Sequence, residues 1–142
     1  MKRLLVMVSL LAISAVSLFA IWPWSSGKEY RMTASRSVPA ATGTVKAKRD
    51  KANGNTNLDI KVGHLANPSR LTPPASVYIV WVRPRGGDAT RQGAIGLDNN
   101  LNGELKVVTT LKDFDLFITA EQSETVTVPS DVEILRTHVS LS

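Results

Sequence analysis

Two hydrophobic patterns divide the chain. From Leu4 to Trp22 the residues are uncharged and almost wholly apolar, whereas after Trp24 apolar residues tend to recur at every second position. The first run is longer than the roughly 7–15 residues of a signal-peptide core and close to the ~20 that span a bilayer. Met1-Lys2-Arg3 gives it a positive start, and Trp22-Pro23-Trp24 follows where an interfacial aromatic belt would lie. It has no polar face, which argues against a surface helix of a globular core. Cleavage signals are weak: Leu18-Phe19-Ala20 has a large residue where a small one is wanted, and Ala15-Val16-Ser17 is only passable. Two readings of residues 1–24 therefore stay open, a signal peptide or an uncleaved N-terminal membrane anchor. In both, Lys2 and Arg3 hold the N-terminus in the cytoplasm and the body faces outward. Residues 25–27 form a short tether, and the expected domain spans 28–142.

Within that body, period-two alternation predicts strands. Tyr30 to Ser37 reads as the first, with Tyr30 and Met32 on one face. Gly43 to Arg49 is the second, with Val45 and Ala47 inward and Thr44, Lys46 and Lys48 toward water. Asn53-Gly54 signals a tight hairpin with positive φ, and Leu58, Ile60 and Val62 mark the return strand. Pro68, Pro73 and Pro74 belong to a longer crossing loop. Val77 to Val82 is apolar at every position and reads as the central strand of the core. A surface loop over Arg83 to Asp88 leads to strands at Gly93 to Leu97, Leu105 to Thr110, Phe114 to Ala120, and Val132 to about Val139. Turns fall at Asp98 to Gly103 and at Pro129-Ser130-Asp131. The expected class is all-β: an antiparallel immunoglobulin-like β-sandwich of about 7–9 short strands, preceded by one N-terminal apolar helix. A closed barrel has the same periodicity and stays open as the alternative. Tyr78, Ile79, Trp81, Phe117 and Ile118 are expected at the centre of the core, because large side chains bury the most area.

Composition narrows the chemistry. The chain of 142 residues has no cysteine, which excludes disulfides, a thiol nucleophile, cysteine-ligated zinc and a lipid anchor on cysteine. The formal charge of +5 is unevenly spread. Residues 28–61 hold eight basic and three acidic side chains, residues 62–142 seven basic and nine acidic. That asymmetry suits contact with an anionic surface such as lipid headgroups, or a strand guarded by lysines. Export argues against nucleic acid as the main partner.

Tyr78-Ile79-Val80-Trp81-Val82, Gly93-Ala94-Ile95, Phe117-Ile118-Thr119-Ala120-Glu121, Pro129 and Ile134-Leu135 together resemble the C-terminal extracytoplasmic domain of anti-sigma-K factors. They are also similar to small uncharacterised secreted β-sandwich proteins of bacteria. The resemblance covers residues 76–136 and implies an outward-facing sandwich with a sensing or protein-binding role. Three residues precede the apolar run, so the family's cytoplasmic sigma-binding half is not expected and sigma-factor binding is not carried over.

Individual candidate sites are sparse. Asp98-Asn99-Asn100-Leu101-Asn102-Gly103 matches the first half of a calcium loop, but the twelfth position is Thr109 instead of a bidentate Glu. A turn whose Asn and Gly supply positive φ explains it better. His64 and His138 lie far apart without a nucleophile motif, which fits neither a catalytic triad nor a zinc set. Glu121, at a strand end, suits a carboxylate that accepts backbone N–H groups from a neighbouring turn. Arg83, Arg85 and Arg91 around Gly86-Gly87 could meet an anionic partner through guanidinium forks, or simply keep a sheet end soluble. No catalytic residue, metal ligand or cofactor is expected. The function expected is a non-enzymatic cell-envelope module binding a protein or glycan, with a sensory domain related to anti-sigma regulation as the alternative.

Overall fold

The computed structural model describes residues 27–141. The apolar helix and the choice between anchor and signal peptide, expected over residues 1–24, lie outside the described residues. Nine strands follow: β1 (Lys28–Arg31), β2 (Thr33–Ala34), β3 (Thr42–Asp50), β4 (Asn55–Gly63), β5 (Val77–Pro84), β6 (Thr90–Ile95), β7 (Gly103–Thr109), β8 (Asp113–Glu121) and β9 (Glu133–Ser140). They form two separate antiparallel sheets, ordered β1-β3-β4-β7 and β2-β9-β8-β5-β6. The fold is thus an antiparallel β-sandwich and not a closed barrel.

Alternation sets which face each strand buries. On β3 and β4, Val45, Ala47, Leu58, Ile60 and Val62 face the second sheet, while Lys46, Asn57 and Lys61 face water. From the five-stranded sheet, Tyr78, Val80, Val82, Phe114, Leu116 and Ile118 complete the same core. Burial pushes the Tyr78 phenol up to about 12, and its hydroxyl donates to Ala66 O at 2.6 Å.

The expected single core is in fact two. Ile79, Trp81 and Phe117 point the other way and form a second buried cluster on the outer face of the five-stranded sheet. The continuous apolar run of Val77 to Val82 therefore marks a strand covered on both sides. That strand is interior but off-centre, since β8 is the middle of the five.

Two other expectations change. The first strand is not continuous from Tyr30 to Ser37. The chain leaves β3 after Arg31 and pairs with β9 from Thr33, so it crosses between sheets at Met32. Met32 N–H donates to Gly43 O at 2.8 Å, and Ser35 N–H to Ile134 O at 2.9 Å. The Met32 side chain lies so close that a Cβ on Gly43 would meet its Sδ at 2.7 Å, which explains a glycine there. The Asn53-Gly54 hairpin is wider than expected, because four residues separate the Asp50–Asn55 pair. Asp50 and Asn53 side chains accept the N–H groups of Ala52 and Asn55, and Gly54 alone is left-handed, at φ 73°. The side-chain acceptors replace the second positive-φ residue that a two-residue turn needs.

The second cluster lies beneath the connection from residue 122 to 132, which contributes Val126 to it. A buried polar chain fixes that connection. Trp81 Nε1 donates to Thr119 Oγ1 at 2.8 Å, and the Thr119 hydroxyl donates to Glu121 Oε2 at 2.5 Å. The same carboxylate oxygen accepts the Ser130 N–H at 2.9 Å. Glu121 thus pins a turn, the role its strand-end position suggests.

Trp81→Ala removes a fully buried indole and the N–H that Thr119 Oγ1 accepts, so thermal or urea unfolding should show a loss of about 3–5 kcal/mol. Glu121→Ala leaves Thr119 Oγ and Ser130 N–H without their acceptor and should cost about 1–3 kcal/mol. A loss under about 0.5 kcal/mol in both variants, within the range of ordinary surface substitutions, would show that the second cluster contributes little.

Candidate functional site

The outer face of the five-stranded sheet changes character along its strands. Its Ile79–Trp81 half is covered by the 122–132 connection, and its other half is charged. The register produces this division. On β8, Asp113, Asp115, Phe117, Thr119 and Glu121 alternate onto the outer face. On β9, Arg136 lies opposite Phe117 and His138 opposite Asp115, and on β5 Arg83 also lies opposite Asp115.

Phe117 marks the boundary. The guanidinium groups of Arg83 and Arg136 lie over its ring, 5.0 and 5.1 Å from the centroid, within the range of cation–π attraction. Arg136 also makes a bidentate pair with Glu133, at 2.5 and 2.9 Å, and reaches Asp115 Oδ2 at 3.6 Å. Arg85 pairs with Asp113 at 3.5 Å. At the centre, His138 bridges two carboxylates: Nδ1 lies 2.8 Å from Asp115 Oδ1 and Nε2 2.6 Å from Asp113 Oδ1. Both ring nitrogens can donate only in the imidazolium. The Asp115 contact, then that of Asp113, raises the His138 pKa above its ordinary value, against partial desolvation.

The structure thus gathers two of the three arginines singled out in the sequence. Arg83 and Arg85 join the charged end, whereas Arg91 is exposed on the edge strand β6, in register with Trp81. The Asp113–Asp115–His138 bridge and Arg136 were not legible beforehand. Their sequence signal is charge at every second position, Asp113-x-Asp115 and Arg136-x-His138, with apolar Phe114 and Leu116 beside the first pair. The other histidine, His64, follows β4 in the opposite sheet, with φ 53°.

The Asp98 turn is held by its own side chain. Asp98 Oδ1 accepts the N–H groups of Asn100 and Asn102, at 2.9 and 3.0 Å. The left-handed residue is Leu101, at φ 63°, and not the expected Gly103. Gly103 is required by close approach instead, because a Cβ there would lie 2.5 Å from Gly96 O.

What the charged face can do follows from its make-up. Guanidinium forks, an imidazolium and carboxylates on a sheet face can exchange internal pairs for those of a partner carrying both signs, and Phe117 supplies an apolar floor. No protein-family model matches the chain, and no curated protein matches it significantly.

Because the His138 pKa is raised on folding, the linked stability is fully present below the unfolded value near 6.5 and is lost as pH rises through the folded value. The melting temperature should therefore rise as pH falls from about 8 to about 6. Screening of the half-exposed ring keeps this rise small. His138→Gln should flatten the trend, and an unchanged slope in that variant would contradict the bridge.

Proposed function

We propose that the chain is a non-enzymatic cell-envelope module that binds a protein or glycan through the charged outer face of its five-stranded sheet. The carrying observation is a single cationic cluster: Arg83 and Arg136 over the Phe117 ring, His138 between Asp113 and Asp115, and Arg85 paired with Asp113 from the turn after β5. Rigid strands present such groups with little loss of backbone freedom on binding. The N-terminal apolar run, read as an anchor or export signal, supports placing the domain outside the cytoplasm. The order β9-β8-β5-β6 supports an immunoglobulin-like topology, since it matches the G-F-C-C′ neighbours of such domains. The order β3-β4-β7 in the other sheet likewise matches the A-B-E neighbours of that plan.

The second reading, a sensory domain akin to that of anti-sigma-K factors, draws on the resemblance of residues 76–136. Trp81, Thr119 and Glu121, which carry much of that resemblance, form the buried chain under the 122–132 connection. They speak for a shared fold more than for a shared ligand.

A photocrosslinking residue at Arg85, compared with one at Lys51 on the opposite sheet, tests the binding face in the native envelope. The expected result is a discrete adduct from position 85 alone, lost in Arg83→Ala/Arg136→Ala. Equal labelling from both positions, or an adduct indifferent to the arginines, would refute the assignment. An export-dependent reporter fused after Ser142 should be active, and an inactive one would place the domain in the cytoplasm.

A further inference from the structure

The four-stranded sheet has an outer face of its own, with a different charge pattern. Opposed residues form rows across it: Glu29, Lys46, Asp59 and Lys106 alternate in sign from β1 to β7, and Lys48, Asn57 and Val108 form the next row. A groove of about 740 Å³ runs over these rows to the β3–β4 hairpin. Five cations line it, Lys46, Lys48, Arg49, Lys51 and Lys106, against the carboxylates of Asp50 and Asp59. Burial, and next the neighbouring Glu104, raises the pKa of Asp59 above the ordinary carboxylate value. Val108 adds an apolar side chain that is 56% exposed.

The groove also meets the start of the described chain. Gly27 lines it, and a Cβ built on Gly27 would lie 3.6 Å from Lys48 Cβ. Three peptide steps separate Trp24 from Gly27, and an extended chain advances at most ~3.5 Å per residue. If the apolar run is a membrane anchor ending at Trp24, this edge of the groove is held within about 10 Å of it. That distance is comparable to the ~8 Å screening length at physiological salt. Where the leaflet facing the domain carries anionic lipid, lysines so placed experience its field, and an exposed valine beside them suits the headgroup boundary.

We propose that the lysine-lined outer face of the four-stranded sheet docks on anionic phospholipid headgroups of the membrane that the chain's own N-terminal segment enters. The proposal rests on the anchor reading of residues 1–24. It is distinct from the binding assignment above, because docking this face leaves the arginine–histidine face of the other sheet turned away from the bilayer.

The chain has no cysteine, so single cysteines can be labelled cleanly. Full-length protein carrying a fluorophore at Asn57→Cys in the groove, or at Thr127→Cys over the other sheet, is placed in nanodiscs containing headgroup-quencher lipid. The discs are phosphatidylcholine with or without phosphatidylglycerol. Stronger quenching at 57 than at 127 in anionic discs, fading at high salt and in neutral discs, is the expected result. Lys46→Glu/Lys48→Glu should lower the ratio of docked to undocked protein by about tenfold or more, from ~1 kcal/mol per basic residue at an anionic surface. Equal quenching at both sites in anionic discs, or quenching indifferent to lipid charge, would overturn the proposal. So would loss of the site difference on adding soluble polyphosphate at constant ionic strength, which would indicate a preference for a soluble polyanion. Failure of the chain to enter discs counts against the anchor alone. Docking is then decided by sedimentation of the same full chain with anionic vesicles: salt-sensitive binding lost on charge reversal supports it, and no binding refutes it.

Discussion

A buried indole N–H must find an acceptor, and on the outer face of the five-stranded sheet much follows from how Trp81 finds one. The indole is fully covered, and so is Thr119, the only group to which it donates. Thr119 can accept that proton because its own is passed to Glu121. Glu121 in turn tolerates burial by also taking the Ser130 N–H. Each polar group is satisfied by the next, and the last link fastens the connection that covers the first. In this dry setting an unmade link would be far more costly than one exposed to water. The chain of bonds makes two-sided burial of β5 and β8 affordable by holding the cover over one half of the outer face, while the register sets the charged groups on the other.

Much of the fold was legible because strand alternation is local. Val45 and Ala47 inward against Lys46 outward, or Leu58, Ile60 and Val62 against Asp59 and Lys61, can be read without knowing the partner strand. Covering on both faces erases that signal: Val77 to Val82 shows no alternation, so its residues read as one core when they serve two. The crossing at Met32 was hidden for a related reason. Alternation continues through residues 30 to 34 although the pairing partner changes from β3 to β9, and periodicity reports faces, not partners.

The charged cluster was illegible for a different reason. Asp113 and His138 meet only through the register of β8 with β9, and the connection from 122 to 132 is too long to fix register from turn chemistry. The arginines were recognised by type, but only the register shows that Arg83 and Arg85 share an end while Arg91 lies beside Trp81. Glu121 was easier, since a carboxylate ending an apolar strand has few roles open to it. Gly103 was correctly singled out for the wrong property: the sequence marks a glycine, but only the three-dimensional approach of Gly96 O distinguishes tight space from a left-handed turn.

The uneven charge along the sequence acquires a spatial meaning in a sandwich. The first two long strands, β3 and β4, lie side by side in one sheet, so Lys46, Lys48 and Lys61 share a single outer face. The later strands β5, β8 and β9 form the heart of the other sheet and carry the mixed arginine, histidine and carboxylate set. The two outer faces of a sandwich point in opposite directions, so charge segregated along the chain becomes charge segregated across the domain. A lysine is a compact, strongly hydrated charge suited to a diffuse anionic surface, whereas paired guanidinium forks over an aromatic ring suit a partner of defined shape. The residue types therefore follow the division that the topology imposes: lysines on one outer face, guanidinium groups and an imidazole beside an aromatic ring on the other.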